Sequence, residues 1–261
     1  MIIKKILLVS FFVLAGTMVY AQDFSAYKKQ WIVQGADTLP YRLLLPENYN
    51  ASKTYPVIFF LHGSGERGND NQKQLAHGAS LFLKEDVRKN FPAIVIFPQC
   101  PASGYWSNVL RTFDSEEKIR YNFVPAGEPT AAMRLLQSLV KNILQAYPVK
   151  KDQVYVGGLS MGGMGTYELV RRSPGIFAAA FPICGGADPV TAKEIKHVKW
   201  WIFHGGKDDV VFPSFSQNMV AALRKEKSIV KFTFYPEANH NSWDQAFAEP
   251  ALLSWLFAQH R

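Results

Sequence analysis

Val154-Tyr155-Val156-Gly157-Gly158-Leu159-Ser160-Met161-Gly162-Gly163-Met164-Gly165 is the stretch that decides the fold. A short apolar run with strand character leads into G-x-S-x-G, and a helical pattern follows it over residues 162–172 until Ser173-Pro174 stops it. A serine between small residues, where a strand turns into a helix, sits on a tight and strained corner that lifts its hydroxyl off the sheet. Ser160 is therefore the candidate nucleophile.

Working outward, apolar runs that read as strands occupy residues 41–45, 57–61, 93–97, 154–157, 177–183, 200–203 and 230–235. Amphipathic stretches that read as helices occupy 72–88, 130–146, 162–172 and 215–225. A last helical region starts at Ser242, where Ser242 and Gln245 have the spacing of a capping box, and Pro250 breaks it in two. Strands alternating with helices imply an α/β fold, a mostly parallel central sheet with helices on both faces. Ligands of such sheets bind beyond the carboxyl ends of the strands, so the residues just after each strand are the ones to examine. Residues 101–129 fit no period. A long irregular segment after a strand end reads as a binding loop over the active face.

A serine hydroxyl needs a base. His240, in Asn239-His240-Asn241-Ser242-Trp243, follows the strand at 230–235 on a short loop and is the candidate. His62 and His204 end strands directly and precede glycines, which suits bracing of loops, while His77, His197 and His260 fall in helices or surface loops. The base in turn needs a carboxylate. His204-Gly205-Gly206-Lys207-Asp208-Asp209-Val210-Val211 offers two adjacent acids, and the register H-G-x-x-D-x-x-V selects Asp208 over Asp209. Asp188 is a further alternative, better suited to capping a helix before Pro189.

Acyl transfer also needs donors for a developing oxyanion. The Met161 N–H follows the nucleophile, and Leu61-His62-Gly63-Ser64-Gly65-Glu66-Arg67-Gly68 follows an earlier strand. Ser64 N–H is the expected second donor there, with Gly65 as the alternative. G-K-[ST] is absent, which removes a phosphate-loop reading of these glycines. Glu66 and Trp106 are candidate substrate contacts, although Glu66 could equally brace its loop and Trp106 could anchor the irregular segment. Trp243 reads as packing beside His240.

The order Ser160, Asp208, His240 resembles that of the α/β-hydrolase fold over residues 40–261. His62 to Gly68, Pro98-Gln99-Cys100-Pro101, the Ser160 corner, Ile183-Cys184-Gly185-Gly186 and His240-Asn241-Ser242-Trp243-Asp244 resemble one subgroup. It is the secreted bacterial group of predicted peptidases and phospholipase/carboxylesterase-like hydrolases, similar to polyhydroxybutyrate-depolymerase-like and feruloyl or acetyl-xylan esterases. The resemblance implies a Ser-His-Asp carboxylic-ester hydrolase acting on short acyl or aromatic esters, some of them carbohydrate-linked. It implies no cofactor, and no Cys/His cluster has the spacing of a zinc site. A small-peptide peptidase related to prolyl oligopeptidase catalytic domains is the alternative, although the propeller that selects peptides in those enzymes is missing. A vestigial carbohydrate-binding protein is a third reading.

Composition narrows the setting. At 48% hydrophobic and 19% charged, the 261 residues are neither low-complexity nor fibrous and suit one large domain. Lys4 and Lys5, an apolar run from Ile6 and Val19-Tyr20-Ala21 together have the form of a cleavable secretory signal, with Gln22 starting the mature chain. The 15 residues from Ile6 to Tyr20 fall short of the ~20 that span a bilayer. The expectation is a signal over residues 1–21, one hydrolase domain over 22–261, and a secreted or periplasmic location. The net charge of +8 is scattered, with no basic stripe of the kind that binds nucleic acid. Cys100 and Cys184 would share an oxidising compartment. They follow strands separated by two others, ~14 Å apart, beyond the ~7 Å that a disulfide allows, so they are expected to stay unpaired.

Overall fold

The computed structural model describes residues 22–113, 115 and 119–261, so the expected signal over residues 1–21 lies outside the described residues. The strands in chain order are β1 (Lys28–Gln34), β2 (Asp37–Leu44), β3 (Tyr55–Leu61), β4 (Ile94–Pro98), β5 (Val109–Phe113), β6 (Ile119–Phe123), β7 (Val149–Leu159), β8 (Ala179–Ile183), β9 (Lys199–Gly205) and β10 (Val230–Tyr235). The helices are α1 (Glu85–Asn90), α2 (Ala131–Ala146), α3 (Met161–Arg172), α4 (Ala192–Ile195), α5 (Pro213–Lys225), α6 (Trp243–Phe247) and α7 (Leu252–Phe257).

Eight strands form one sheet in the order β1-β2-β4-β3-β7-β8-β9-β10. β4 through β10 in that order run parallel, and β1 and β2 close one edge antiparallel. This is the expected α/β layout. β3, β4 and β8 are apolar and buried along their whole length because helices cover both faces. In β3, Val57, Phe59 and Leu61 face the core under α2, α3 and α5, while Ile58 and Phe60 face the core that includes α7. β9 repeats the pattern, with Trp200 and Ile202 on one side and Trp201 and Phe203 on the other. α2 starts at Thr130, whose hydroxyl accepts the Met133 N–H.

Four expectations need correction. β1 was not anticipated, and β2 begins at Asp37, earlier than the expected 41. β1 has almost no buried face, so its sequence carries no alternation to read. Residues 72–88 do not form one helix: 3-10 turns at Lys73–Leu75 and Leu81–Leu83 precede the short α1. Gly78 interrupts the stretch at φ +80°, and the Phe247 ring fills the space where its Cβ would be. Residues 101–129 are not wholly irregular, since β5 and β6 pair as an antiparallel hairpin. Finally, the Ser242–Gln245 capping box does not form. Ser242 has helical φ/ψ of −57°/−10° and makes no side-chain cap, and its buried Oγ faces the Cys184 thiol instead. The break at Pro250 does occur, between α6 and α7. Cys100 and Cys184 are free and buried, with β3 and β7 between the strands that precede them.

Candidate active site

Ser160 stands between β7 and α3 with φ +53° and ψ −117°, a conformation that costs a non-glycine residue ~1–3 kcal/mol. Close packing forces it. A Cβ on Gly162 would come 1.9 Å from the Leu61 carbonyl oxygen, and one on Gly158 would come 2.4 Å from that of Gly162. Only glycines let β3, β7 and the start of α3 approach this closely. The nearly buried Ser160 is then held by its N–H to Ile183 O at 2.9 Å.

His240 and Asp208 arrive from the neighbouring strand ends. His240 Nε2 lies 2.9 Å from Ser160 Oγ, and its Nδ1 lies 2.8 Å from Asp208 Oδ2. Asp208 Oδ1 accepts the N–H groups of Val210 at 3.0 Å and Val211 at 2.9 Å, which fixes the carboxylate plane. Burial acts to raise the Asp208 carboxyl. Hydrogen bonds from His204, His240 and the Val211 N–H, with the nearby His240 charge, outweigh it and hold the carboxyl well below the usual carboxylate range. Asp209 is exposed, and Asp208, the acid that the H-G-x-x-D-x-x-V register selects, is the one that meets His240. Asp188 instead caps a 3-10 turn by accepting the Val190 N–H. Trp243 lies edge-on to His240 with ring centroids 5.4 Å apart.

The loop after β3 folds over this corner. A Cβ on Gly63 would lie 3.7 Å from the Ser160 Cβ, so Gly63 borders the serine side chain. His62 braces the loop from below. Its Nε2 accepts the Cys100 N–H at 2.9 Å, so its proton is on Nδ1, which donates to Gly63 O at 2.6 Å. Burial pushes the His62 imidazole down to about 4. Arg67 donates to Ser64 O at 3.0 Å and Gly104 O at 3.3 Å, joining the loop to the segment after β4. Gln99, fully buried, donates to Glu66 O at 3.1 Å and accepts the Asn71 N–H at 2.7 Å. An isolated glutamine at the end of an apolar strand was the signal for that brace.

The two candidate substrate contacts are placed differently. The Trp106 ring is fully buried against Gly165 and stacked edge-on with His62, and its Nε1 donates to His62 O at 3.3 Å. It anchors the segment and offers no surface to a ligand, which corrects the expectation of a pocket wall. The Glu66 carboxylate faces His77 at 3.8 Å, and the His77 ring in turn packs on Trp243 at 5.2 Å. Glu66 therefore reaches from the loop toward the His240 side through Oε1, while its Oε2 lies 3.1 Å from where a Cβ on Gly63 would stand, beside the Ser160 corner.

The hairpin brings in residues that the sequence did not single out. Phe123 and Tyr121 pack edge-on against Phe215 at 5.3 and 6.3 Å. The Tyr121 phenol is raised by burial and lies close enough to feel the charge of Asp208. The Arg111 guanidinium sits 4.8 Å above the Tyr105 ring. A polar segment of low periodicity concealed these positions, because the hairpin has only one partly covered face.

Among the described residues, Cys184, Asp208 and His240 form one set with ligand-type atoms within 4.8 Å of one another. Burial raises the Cys184 thiol, and the other two atoms are engaged with each other, so this donor set is a poor match for a cation.

A parallel sheet carrying a serine on its strand–helix corner, with an acid and a histidine after the last two strands, is the α/β-hydrolase fold. The Esterase family model matches residues 37–248, and the chain belongs to that family. It is 27% identical over 189 residues to "Probable feruloyl esterase C" of Aspergillus oryzae, covering 70% of this chain and 62% of that one. A solved thermostable esterase superposes with a TM-score of 0.80 at 30% identity, covering 91% of this chain and 64% of its own. A ferulic acid esterase from Anaeromyces mucronatus in complex with ferulic acid superposes with a TM-score of 0.63 at 15% identity, covering 87% and 89%, a likeness of fold alone. The chain thus spans somewhat less than two thirds of the feruloyl esterase C and of the thermostable esterase.

Proposed function

We propose that this protein hydrolyses carboxylic esters through an acyl-enzyme on Ser160. The observation that carries the reading is the unbroken hydrogen-bonded chain from Ser160 Oγ through His240 to Asp208. His240 Nε2 takes the Ser160 proton as Oγ attacks the ester carbonyl. The Met161 N–H, at the start of α3, and the Ser64 N–H, in the loop bordering Ser160, hold the oxyanion. The tetrahedral intermediate collapses, and the alcohol leaves with the proton from His240. Water, deprotonated by His240, then attacks the acyl-enzyme and releases the acid and free Ser160. Asp208 holds the imidazole tautomer and stabilises its cation.

The acid component is short or aromatic. Kinship with a feruloyl esterase supports this, as do Tyr121 and Phe123, which the hairpin adds beside the site. Residues 1–21 act as a cleavable export signal. Protein recovered from outside the cytoplasm should begin at Gln22, and an N-terminus retaining residues 1–21 would refute this.

The test compares the purified protein with Ser160→Ala on aryl acetate, butyrate, octanoate and ferulate, and on alanyl and prolyl anilides. Ester turnover that disappears in Ser160→Ala is the expected result. Cleavage of anilides without esters would replace the esterase reading with a peptidase one.

A further inference from the structure

Asp208 carries two imidazoles. Oδ2 faces His240 Nδ1 at 2.8 Å and also His204 Nε2 at 3.2 Å, and His204 is fully buried. His204 Nε2 also lies 2.8 Å from Val211 O. Both neighbours of Nε2 are oxygens without a proton to give, so Nε2 must carry hydrogen and donate to the pair. On the other side of the ring, Nδ1 lies 2.7 Å from Ser216 Oγ on α5, and Ser216 Oγ lies 3.0 Å from Gly185 O. Ser216 has a single proton, which goes either to Gly185 O or to Nδ1. In both arrangements Nε2 remains the donor to Asp208.

Resting on the esterase reading above, we propose that His204 is a positioning residue that tunes the acid of this site. Its Nε2–H shares Oδ2 with His240 and draws off part of the basicity with which the carboxylate stabilises a charged His240. It also connects the acid, through Ser216, to the Gly185 carbonyl. A Cβ on Gly185 would lie 2.6 Å from the Gly163 carbonyl carbon, so that carbonyl belongs to a loop pressed against the start of α3. The acid and the nucleophile helix are therefore linked along a second route that bypasses His240.

Two further titratable groups, a thiol and a phenol, face this pair. Cys184, at the end of β8, is raised by burial, and so is the Tyr121 phenol on β6. Asp209, next in sequence, is exposed.

Two substitutions separate tuning from bracing. His204→Asn keeps a group near Ser216 and loses the donor to Oδ2. His204→Gln carries an amide N–H near the Nε2 position. With the donor gone, Oδ2 becomes the better acceptor for the His240 cation. The acid limb of kcat/KM in His204→Asn should therefore move up by about half a pH unit, while His204→Gln should return it toward wild type. Lower activity with both acid limbs unmoved would mean that His204 only braces the loop, and would overturn the proposal. So would equal movement in both variants.

A second measurement needs neither a stable variant nor turnover. In ¹⁵N-histidine NMR of the wild-type protein, the His204 proton should reside on Nε2, and its signal should shift in Asp208→Asn. A His204 with Nδ1–H and a bare Nε2 overturns the proposal even if esters are cleaved. Nε2–H without ester turnover leaves the network standing and refutes the esterase reading instead.

Discussion

His-Gly directly follows β3 and ends β9, and the two histidines are buried on strands to either side of the β7 end that carries Ser160. His62 meets a backbone N–H at Nε2 and must accept there. His204 meets two oxygens at Nε2 and must donate there. The first is therefore locked into holding the Gly63 loop. The second feeds a proton donor to the carboxylate that His240 uses. The same dipeptide at the same place in a parallel sheet performs two tasks, and the partner at one ring nitrogen decides which.

The largest effect should come from the β9 side. Asp208→Asn leaves the fold in place and inverts the hydrogen-bond polarity at His240, so kcat should fall by up to ~10⁴. Asp209→Asn should remain close to wild type in the same assay. The reverse result would mean that the strand-end register has been misassigned and that the network around His204 serves structure alone.

The β3 side should respond in stability. An unfolded histidine takes up a proton below about 6.5, whereas folded His62 resists until about 4. Between those values the unfolded chain binds more protons. Stability should therefore fall as pH drops through that window, by ~3 kcal/mol for this group, and level off below it. His62→Gln should be less stable at neutral pH and should flatten the wild-type pH dependence of thermal unfolding, leaving the acid limb of kcat/KM in place. An unchanged slope would show that another group governs the acid transition. A moved acid limb would erase the contrast with His204.

The smallest effect should come from Arg67, which links the loop after β3 to Gly104. Arg67→Ala should lower kcat about fivefold, the size of one net hydrogen bond, with little change in melting temperature. Loss of folding would place Arg67 in the core of the fold, and no kinetic change would separate the loop's bracing from its proposed work.

The same contrast explains what could be read from the chain beforehand. The positions of Ser160, Asp208 and His240 were legible because Ser160 directly follows β7 and the other two lie in short loops after β9 and β10, and because β3, residues 154–159 of β7 and residues 200–205 of β9 are buried on both faces. The glycines around Ser160 announced a close approach before any coordinate did. His204 was legible as a brace, but not as a partner of Asp208, because the three residues Gly205, Gly206 and Lys207 fix the angle between them and no periodicity encodes it. Trp106 had the composition of a pocket wall, yet Gly165 gives it room to bury. The hairpin of β5 and β6 and the edge strand β1 have little buried surface, so no alternation marks them. Ser242 and Gln245 have the spacing of a cap, but the turn after His240 gives Ser242 helical angles and points its hydroxyl inward.

The central claim is that Ser160 is the nucleophile, poised by His240 and Asp208. Its most direct test is intact-mass and peptide mapping of the wild-type protein after brief exposure to an aryl fluorophosphonate. One adduct is expected, on the peptide containing Ser160, absent in Ser160→Ala and slowed in Asp208→Asn. No adduct on the folded protein, or an adduct on any other residue, would contradict it.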